Sequence, residues 1–308
     1  MSTVVFSGGV GGARFLSGLC RVMDPSDITV ISNIGDDSRF FGLYVCPDID
    51  IVIYTLANRI DSTQGWGLSG DSYNVLDELK NLGHPDWFHL GDRDIATHLH
   101  RTLRLDEGWT LSQVTAELTE KNGLTLHILP ASNQPIPTRF RTAQGELSFQ
   151  EYMVKYRWDV DPEDIYFAGV EKAVPAPGVL EAISGAERIL FAPSNPLISL
   201  GAILAIPGIR EAVEHVRCPV VAVSPIVGGQ AIKGPAARLM KQFGLPVSPV
   251  GVARQYLGLV DTLVIDRTDG DLKSLVEAEG MACSVTDTMM VTPQRQEELA
   301  RFVLEQTL

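Results

Sequence analysis

A glycine-rich turn near the amino terminus constrains the fold more than any other segment. The stretch "FSGGVGGAR" begins at residue 6, and its glycines are Gly8, Gly9, Gly11 and Gly12. A short apolar run over residues 3–6 precedes the turn, apolar side chains at helical spacing follow over 11–23, and a second apolar run occupies 27–33. This strand–helix–strand order predicts a parallel sheet.

The rest of the chain extends the α/β pattern. Apolar periodicity predicts helices at about 48–59, 70–82, 93–105 and 110–122. Residues 124–132 resemble a strand, a hairpin is expected around Gly145, and an antiparallel stretch is expected over 124–175. Strand–helix alternation returns from about residue 176, and we expect both α/β portions to share one sheet.

These patterns predict the fold class. We expect an α/β protein with a Rossmann-like three-layer core, a mostly parallel sheet and a smaller helical and antiparallel portion. We treat residues 1–308 as a single domain, with residues 60–175 as a helical and hairpin insertion that contributes to the substrate cleft.

Composition excludes several classes of protein. The formal net charge is −13, which disfavours nucleic-acid binding, because that affinity rests on Lys and Arg at phosphates. The four cysteines form no C-x-x-C pair, so a disulfide framework and a zinc site are not expected. The chain shows no signal peptide and no apolar run long enough to span a bilayer, so we expect a cytoplasmic protein without membrane contact.

In open parallel sheets, ligands bind beyond the carboxyl ends of the strands, where the glycine turn lies. Its spacing matches neither the dinucleotide-binding G-x-G-x-x-G pattern nor the Walker A pattern. Backbone without Cβ atoms, followed by a helix N-terminus, favours an anion such as phosphate, and Arg14 could add charge. The alternative is a tight turn that only requires positive φ.

Acidic residues follow the second strand and begin the next helix. Asp36 and Asp37 occur in "NIGDD", and Asp48 and Asp50 occur in "CPDID". Near a phosphate site, Asp48 and Asp50 are candidates for Mg²⁺ ligands or for the base that deprotonates an attacking hydroxyl. One of them could instead cap the helix.

Further candidates lie at later strand ends and on one helix. The candidate ligand-binding residues outside the glycine turn are Asp37, Arg93, Ser194, Asn195, Ser224 and Lys233. Arg93 has a guanidinium that matches phosphate geometry, whereas Ser194 and Asn195 could instead form a simple Asn-Pro turn. We interpret His98 as a structural helix residue, and Asp92 and Asp94 as caps of its helix.

Several motifs together resemble the 2-phospho-L-lactate transferase (CofD/FbiA) family of coenzyme F420 biosynthesis. They are "FSGGVGGARFLSGL", "NIGDD", "CPDIDIVIYTLA", "GDSYNVLDELKNLG", "LGDRDIATHLHR", "FQEYMVKYR", "APSNPLISLGAILAIPGIREA" and "VAVSPIVGGQAIKGPA". They occur in order along nearly the whole chain. The resemblance implies a Rossmann-like fold and a requirement for Mg²⁺.

The resemblance also implies a reaction. Members transfer a phospho-acyl group from a guanosine-diphosphate-activated acid to the deazaflavin Fo (7,8-didemethyl-8-hydroxy-5-deazariboflavin), forming a phosphodiester and releasing GMP. The acyl group is 2-phospholactyl, phosphoenolpyruvyl or 3-phosphoglyceryl. By the resemblance, Gly8–Gly12 lie by the donor phosphates, Asp48 and Asp50 by the metal, Arg93 by Fo, and Ser194 with Asn195 by the guanosine.

Two further expectations follow from the resemblance. The glycine-turn and "NIGDD" motifs are more similar to those of the bacterial branch of the family, which favours an enolpyruvyl or glyceryl donor. Because members of the family tend to form dimers, we also expect a homodimer. The alternative function is a regulatory nucleotide-sugar-binding protein of the gluconeogenesis-factor type, which begins with a similar glycine turn.

Overall fold

Strands and helices alternate along most of the chain. The computed structural model describes residues 2–61 and 63–308. The strands in these residues are β1 (Thr3–Ser7), β2 (Ile28–Ser32), β3 (Ser38–Phe40), β4 (Leu43–Val45), β5 (His127–Pro130), β6 (Thr138–Thr142), β7 (Gly145–Ser148), β8 (Pro162–Phe167), β9 (Arg188–Phe191), β10 (Val220–Val223), β11 (Ile226–Val227), β12 (Gln230–Ala231), β13 (Thr262–Asp266) and β14 (Ala282–Thr286). The α-helices are α1 (Gly9–Val22), α2 (Pro47–Leu56), α3 (Asn74–Asn81), α4 (Asp92–Asp106), α5 (Leu111–Lys121), α6 (Val179–Ser184), α7 (Leu200–Ala205), α8 (Ile209–Glu214), α9 (Ala236–Gln242), α10 (Pro249–Gln255), α11 (Lys273–Ala278) and α12 (Pro293–Glu305).

A seven-stranded sheet in the order β14-β13-β10-β9-β1-β2-β5 forms the centre of the molecule. All six pairings between its neighbouring strands are parallel. The inner strands are continuous apolar runs such as Val4–Phe6 and Ile189–Phe191, whose side chains are fully buried. Strands of this kind are covered on both faces, as parallel sheets require. The predicted α/β class and the single shared sheet are therefore confirmed.

The strand order reverses at β1. On one side of β1 the sheet continues through β2 to β5, and on the other through β9 to β14. The loops after β1 and β9 consequently leave the sheet side by side at its carboxyl edge. Such a switch point is the preferred ligand position in open α/β sheets.

The segment between residues 60 and 175 is mixed in character; Ser62 within it lies outside the described residues. The hairpin predicted around Gly145 is formed by β6 and β7, and β8 joins it to make a three-stranded antiparallel sheet. The antiparallel prediction for 124–132 was wrong, because β5 pairs parallel with β2 and forms an edge of the central sheet.

Two aspartates cap each other's helices at the start of α3 and α4. The Asp92 carboxylate accepts hydrogen bonds from the backbone amides of Asn74 and Val75, which begin α3. The Asp71 carboxylate accepts from the amides of Arg93 and Asp94, which begin α4. The expectation that Asp92 caps its own helix was therefore wrong, because its side chain reaches the neighbouring helix instead.

Several short elements were not predicted from the sequence, among them α7, α10, α11 and β14. Each is five to seven residues long, which is too short for a clear apolar period. Within the described part of the chain, every helix is too short or too polar to cross a bilayer.

Candidate active site

A cavity of about 650 Å³ opens at the switch point of the sheet. Its walls include the glycine turn after β1, the start of α2, the loop after β9, and residues 232–236 at the start of α9 and just before it. Because these segments come from distant parts of the sequence, only the folded sheet brings them together. Three groups of lining residues differ in their chemistry, and we call them the cationic end, the acidic centre and the aromatic end.

The glycine turn is fixed to the loop after β9 by one hydroxyl. Ser194 Oγ accepts a hydrogen bond from the Gly8 amide at 3.0 Å and donates to the Gly8 carbonyl at 2.7 Å. Gly9 has a φ of +64°, and a Cβ at Gly11 would overlap the carbonyl oxygen of Pro193. The glycines therefore serve local geometry and close packing of the protein itself.

The cationic end combines the α1 N-terminus with two side chains. The first amides of α1 have no intrahelical partner, and the Gly9 amide is bound by Asp48. Arg14 and Lys233 line the same end of the cavity. Burial, and then the neighbouring Arg14 guanidinium, lower the pKa of Lys233. Neither cation forms an ion pair with the residues that the structure describes, so this end suits a phosphate-bearing ligand.

Two buried carboxylates lie beside the glycine turn. Asn33 Nδ2 donates to Asp36 Oδ1 at 3.0 Å and to Asp48 Oδ2 at 2.9 Å. Burial raises the pKa of Asp48 to about 6, and burial followed by the charge of Asp48 raises the pKa of Asp36 well above its usual range. Neither has an ion-pair partner in residues 2–61 and 63–308, so the pair suits a shared proton or a cation.

Asp50, two residues after Asp48 on α2, has a different environment. Its carboxylate receives a two-pronged contact from Arg101, with Nη2 on Oδ1 and Nη1 on Oδ2 at 3.1 Å. Burial raises the pKa of Asp50, and the Arg101 guanidinium opposes that rise. Asp48 and Asp50 are therefore neighbours in sequence that have different partners.

His98 connects the Asp50 contact to a second carboxylate. Arg101 Nη1 lies 3.2 Å from His98 Nδ1, and an arginine can only donate, so Nδ1 accepts and Nε2 carries the proton. Nε2 lies 3.3 Å from Asp94 Oδ1, which also accepts a hydrogen bond from the Tyr54 hydroxyl at 2.8 Å. His98, Asp94 and Tyr54 all line the cavity.

The aromatic end of the cavity is a set of apolar side chains. Its members are Trp66, Phe88, Phe149, Met153, Val154 and Trp158. Trp158 follows a π-helical turn at Glu151–Lys155, and both Arg157 and Trp158 have a φ of +49°. Bulky residues rarely adopt this conformation, which costs on the order of 1–3 kcal/mol each. Strained backbone of this kind is concentrated at ligand sites.

Most of the predicted site residues line one cavity. Those brought together there are Gly8, Gly9, Gly11, Arg14, Asp48, Asp50, Ser194, Asn195 and Lys233. The buried Asn195 amide nitrogen has no hydrogen-bond partner among the described residues, while its Oδ1 accepts from the Leu197 amide. Asn195 therefore lines the cavity and carries an amide donor that no described residue uses.

Four predicted residues lie outside the cavity lining. Gly12 packs against Ser7, and the buried Asp37 lies beside Cys46. Arg93 is exposed and donates to the Ser69 carbonyl, and Ser224 exchanges hydrogen bonds with the Ile226 backbone. Their part in ligand binding stays a prediction.

Sequence reasoning did not assign the site roles of Asp36, Tyr54 and Arg101, and it interpreted His98 as structural. A signal was present on α4, where Asp94, His98 and Arg101 follow the spacing i, i+4, i+7 and so share one helix face. That face is buried, so the polar side chains indicated a network rather than a solvated surface.

The donor set at the acidic centre bears on the expected metal. Within the residues that the structure describes, no group of three or more His, Cys, Asp or Glu side chains could hold a metal ion alone. Mg²⁺ is commonly held by one or two carboxylates plus substrate phosphates and water. Asp36 and Asp48 fit that pattern, whereas the carboxylate of Asp50 is already bound by Arg101.

Comparison with known proteins gives one family. Residues 3–306 match the family model described as 2-phospho-L-lactate transferase CofD. The chain is 45% identical to the phosphoenolpyruvate transferase of Streptomyces griseus subsp. griseus, covering 99% of this chain and 98% of the relative. It is 36% identical to the 2-phospho-L-lactate transferase of Methanosarcina mazei, covering 98% of this chain and 99% of the relative.

A solved structure supports the fold. A Bacillus halodurans protein described as a member of the UPF0052 family superposes with a TM-score of 0.63 at 15% identity, covering 98% of each chain. At this identity the similarity concerns the architecture alone.

Replacing Asp48 by asparagine should stabilise the metal-free protein. The raised pKa means that the folded state binds more protons than the unfolded state between about pH 4 and pH 6, so stability falls as pH rises through that window. Asp48→Asn removes this cost, and thermal unfolding at pH 7.5 in EDTA should show a higher Tm, by roughly 2–4 °C for each kcal/mol.

The matched control is Asp92→Ala. Hydrogen bonds from Val75 and its neighbours lower the pKa of Asp92 to about 2, so loss of this cap should lower Tm. An unchanged or lower Tm for Asp48→Asn at pH 7.5 would contradict the account of a strained acidic centre.

Proposed function

Because the chain belongs to the 2-phospho-L-lactate transferase CofD family, we propose that it transfers a phospho-acyl group from a guanosine-diphosphate-activated acid to Fo in coenzyme F420 biosynthesis. GMP is the second product. The observation that carries this proposal is the single cavity with a cationic end, an acidic centre and an aromatic end. The reaction needs those three environments, for a diphosphate, a reacting hydroxyl and a fused aromatic ring.

The cationic end takes the donor diphosphate. The unpaired amides at the start of α1 donate to phosphate oxygens, and Arg14 and Lys233 neutralise their charge. Asn195 offers its unpartnered amide nitrogen to the guanosine portion. Phosphoryl transfer depends on such positioning and charge stabilisation rather than on a covalent enzyme intermediate.

The attacking hydroxyl of Fo binds at the acidic centre. Asp50 accepts the hydroxyl proton, the hydroxyl oxygen forms a bond to the phosphorus that carries the acid, and the bond from that phosphorus to the GMP oxygen breaks. Asp50 suits this role because its carboxylate is held in place, lines the cavity and keeps lone pairs beyond its two bonds to Arg101.

Asp36 and Asp48 would hold Mg²⁺. The ion supplies a Lewis acid that neutralises the charge developing on the phosphate oxygens. We assign Asp36 rather than Asp50 as the partner of Asp48, because Asn33 bonds both carboxylates and no protein cation among the described residues pairs with either.

We propose an enolpyruvyl donor as the natural one. The relative from Streptomyces griseus carries the name phosphoenolpyruvate transferase, at 45% identity. The relative from Methanosarcina mazei, named 2-phospho-L-lactate transferase, is 36% identical. The difference in identity supports the enolpyruvyl group over the lactyl group.

The direct test is turnover with defined substrates. Purified protein is incubated with Fo, Mg²⁺ and either the enolpyruvyl, lactyl or 3-phosphoglyceryl guanosine diphosphate donor, and products are identified by mass spectrometry. We expect GMP and one phosphodiester of Fo, formed fastest from the enolpyruvyl donor. Absence of any phosphodiester with all three donors, while a nucleotide sugar binds, would favour the regulatory alternative.

The aromatic end should contribute to acceptor binding. Stacking of Trp158 on the Fo ring is worth about 1 kcal/mol, so Trp158→Ala should raise the Kd for Fo roughly fivefold. Fluorescence titration measures this Kd, and the KM for the donor should stay unchanged.

The chain offers a matched control for this titration. Trp109 is 38% exposed, against 37% for Trp158, but it packs under Arg104 and does not line the cavity. Trp109→Ala should leave the Kd for Fo unaltered. Equal effects of the two substitutions would argue against acceptor binding at the aromatic end.

A further inference from the structure

Arg101 is a fully buried cation beside the cavity. Its side chain has no exposed surface, although arginine is almost never completely buried unless it is paired. It lies on α4, whose neighbouring residue Thr102 accepts a hydrogen bond from the Tyr44 amide at 2.8 Å through its hydroxyl. The position of Arg101 is therefore fixed by a helix that is bound to β4.

The contacts of Arg101 converge on one catalytic carboxylate. Both terminal nitrogens bond Asp50, and Nη1 also lies 3.3 Å from the Tyr44 carbonyl and 3.2 Å from His98 Nδ1. A planar fork of this kind fixes both the position and the rotation of a carboxylate. The Tyr44 carbonyl and His98 thus hold the guanidinium in its orientation toward Asp50.

Asp48 provides an internal comparison. Like Asp50, it lies in the first turn of α2, is buried and lines the cavity, yet it has no ion-pair partner in the described residues. The fold therefore immobilises one of two neighbouring carboxylates and leaves the other without a cation. This difference calls for a reason other than simple neutralisation of buried charge.

We infer that Arg101 is a positioning residue, which orients the Asp50 carboxylate toward the attacking hydroxyl and acts on the reaction through Asp50 alone. This inference rests on the proposed function. Stability alone is a weak explanation, because buried ion pairs often contribute little that well-packed apolar side chains would not. Orientation requires the fork, which lysine lacks.

The test is Arg101→Lys, which keeps the charge and removes the fork. Because small misplacements of reacting groups cost up to about 10²-fold in rate, kcat should fall by roughly 10- to 100-fold. The KM values for Fo and for the donor should stay within about threefold, since Arg101 does not line the cavity. Thermal unfolding establishes that the variant is folded.

Arg104→Lys is the matched control. Arg104 lies on the same helix and also makes a two-pronged contact, with Nε and Nη2 on the Glu117 carboxylate, but it does not line the cavity. Its substitution should leave kcat and both KM values unchanged.

A double-mutant cycle separates positioning from a general structural effect. If Arg101 acts through Asp50, adding Arg101→Lys to Asp50→Asn should lower kcat no further than Asp50→Asn alone, within about twofold. If Arg101→Lys does not fold, Arg101→Gln, which retains one hydrogen bond to Asp50, replaces it with the same expected losses.

Three results would overturn the inference: an unchanged kcat in a folded Arg101 variant, a raised KM with unchanged kcat, or equal losses in the presence and absence of Asp50. Failure of the proposed function would give a different result, because the wild-type protein itself would then yield no phosphodiester in the same assay.

Discussion

The hydrogen-bonded joint between Ser194 and Gly8 is the interaction on which the site depends. It ties the loop after β9 to the loop after β1 at the one place where the strand order reverses. Gly11 permits this approach, because any side chain there would overlap Pro193. The N-terminus of α1 and the Ser194–Asn195 turn consequently face one cavity, and the remaining chemistry is arranged around them.

The charged side chains that line the cavity are available to a ligand. Among the described residues, Arg14 and Lys233 have no ion-paired carboxylate and Asp36 and Asp48 have no ion-paired cation, although all four line one cavity. The fold does not pair these cations with these carboxylates. A bound diphosphate with a divalent cation would give partners to both the cations and the carboxylates. Ligand binding would therefore stabilise a site whose charged groups are otherwise unpaired.

The sequence predicted the fold better than the contacts within the site. The glycine turn, the parallel sheet and the hairpin near Gly145 follow from local patterns, because strand runs and turn residues act over a few positions. The link from Arg101 to Asp50 spans 51 residues and depends on how α4 packs, which no local pattern encodes. The role of Asp92 was not predicted either, because only the tertiary structure brings its carboxylate to the start of α3.

The central claim is that Asp36 and Asp48 hold a divalent cation against phosphates bound at the start of α1. Anomalous scattering from a crystal grown with Mn²⁺ and GDP tests it most directly. The account predicts a manganese peak bonded to carboxylate oxygens of Asp36 and Asp48 and to a phosphate oxygen, with the diphosphate on residues 9–14. Manganese at any other carboxylates, or a diphosphate bound away from the glycine turn, would contradict it.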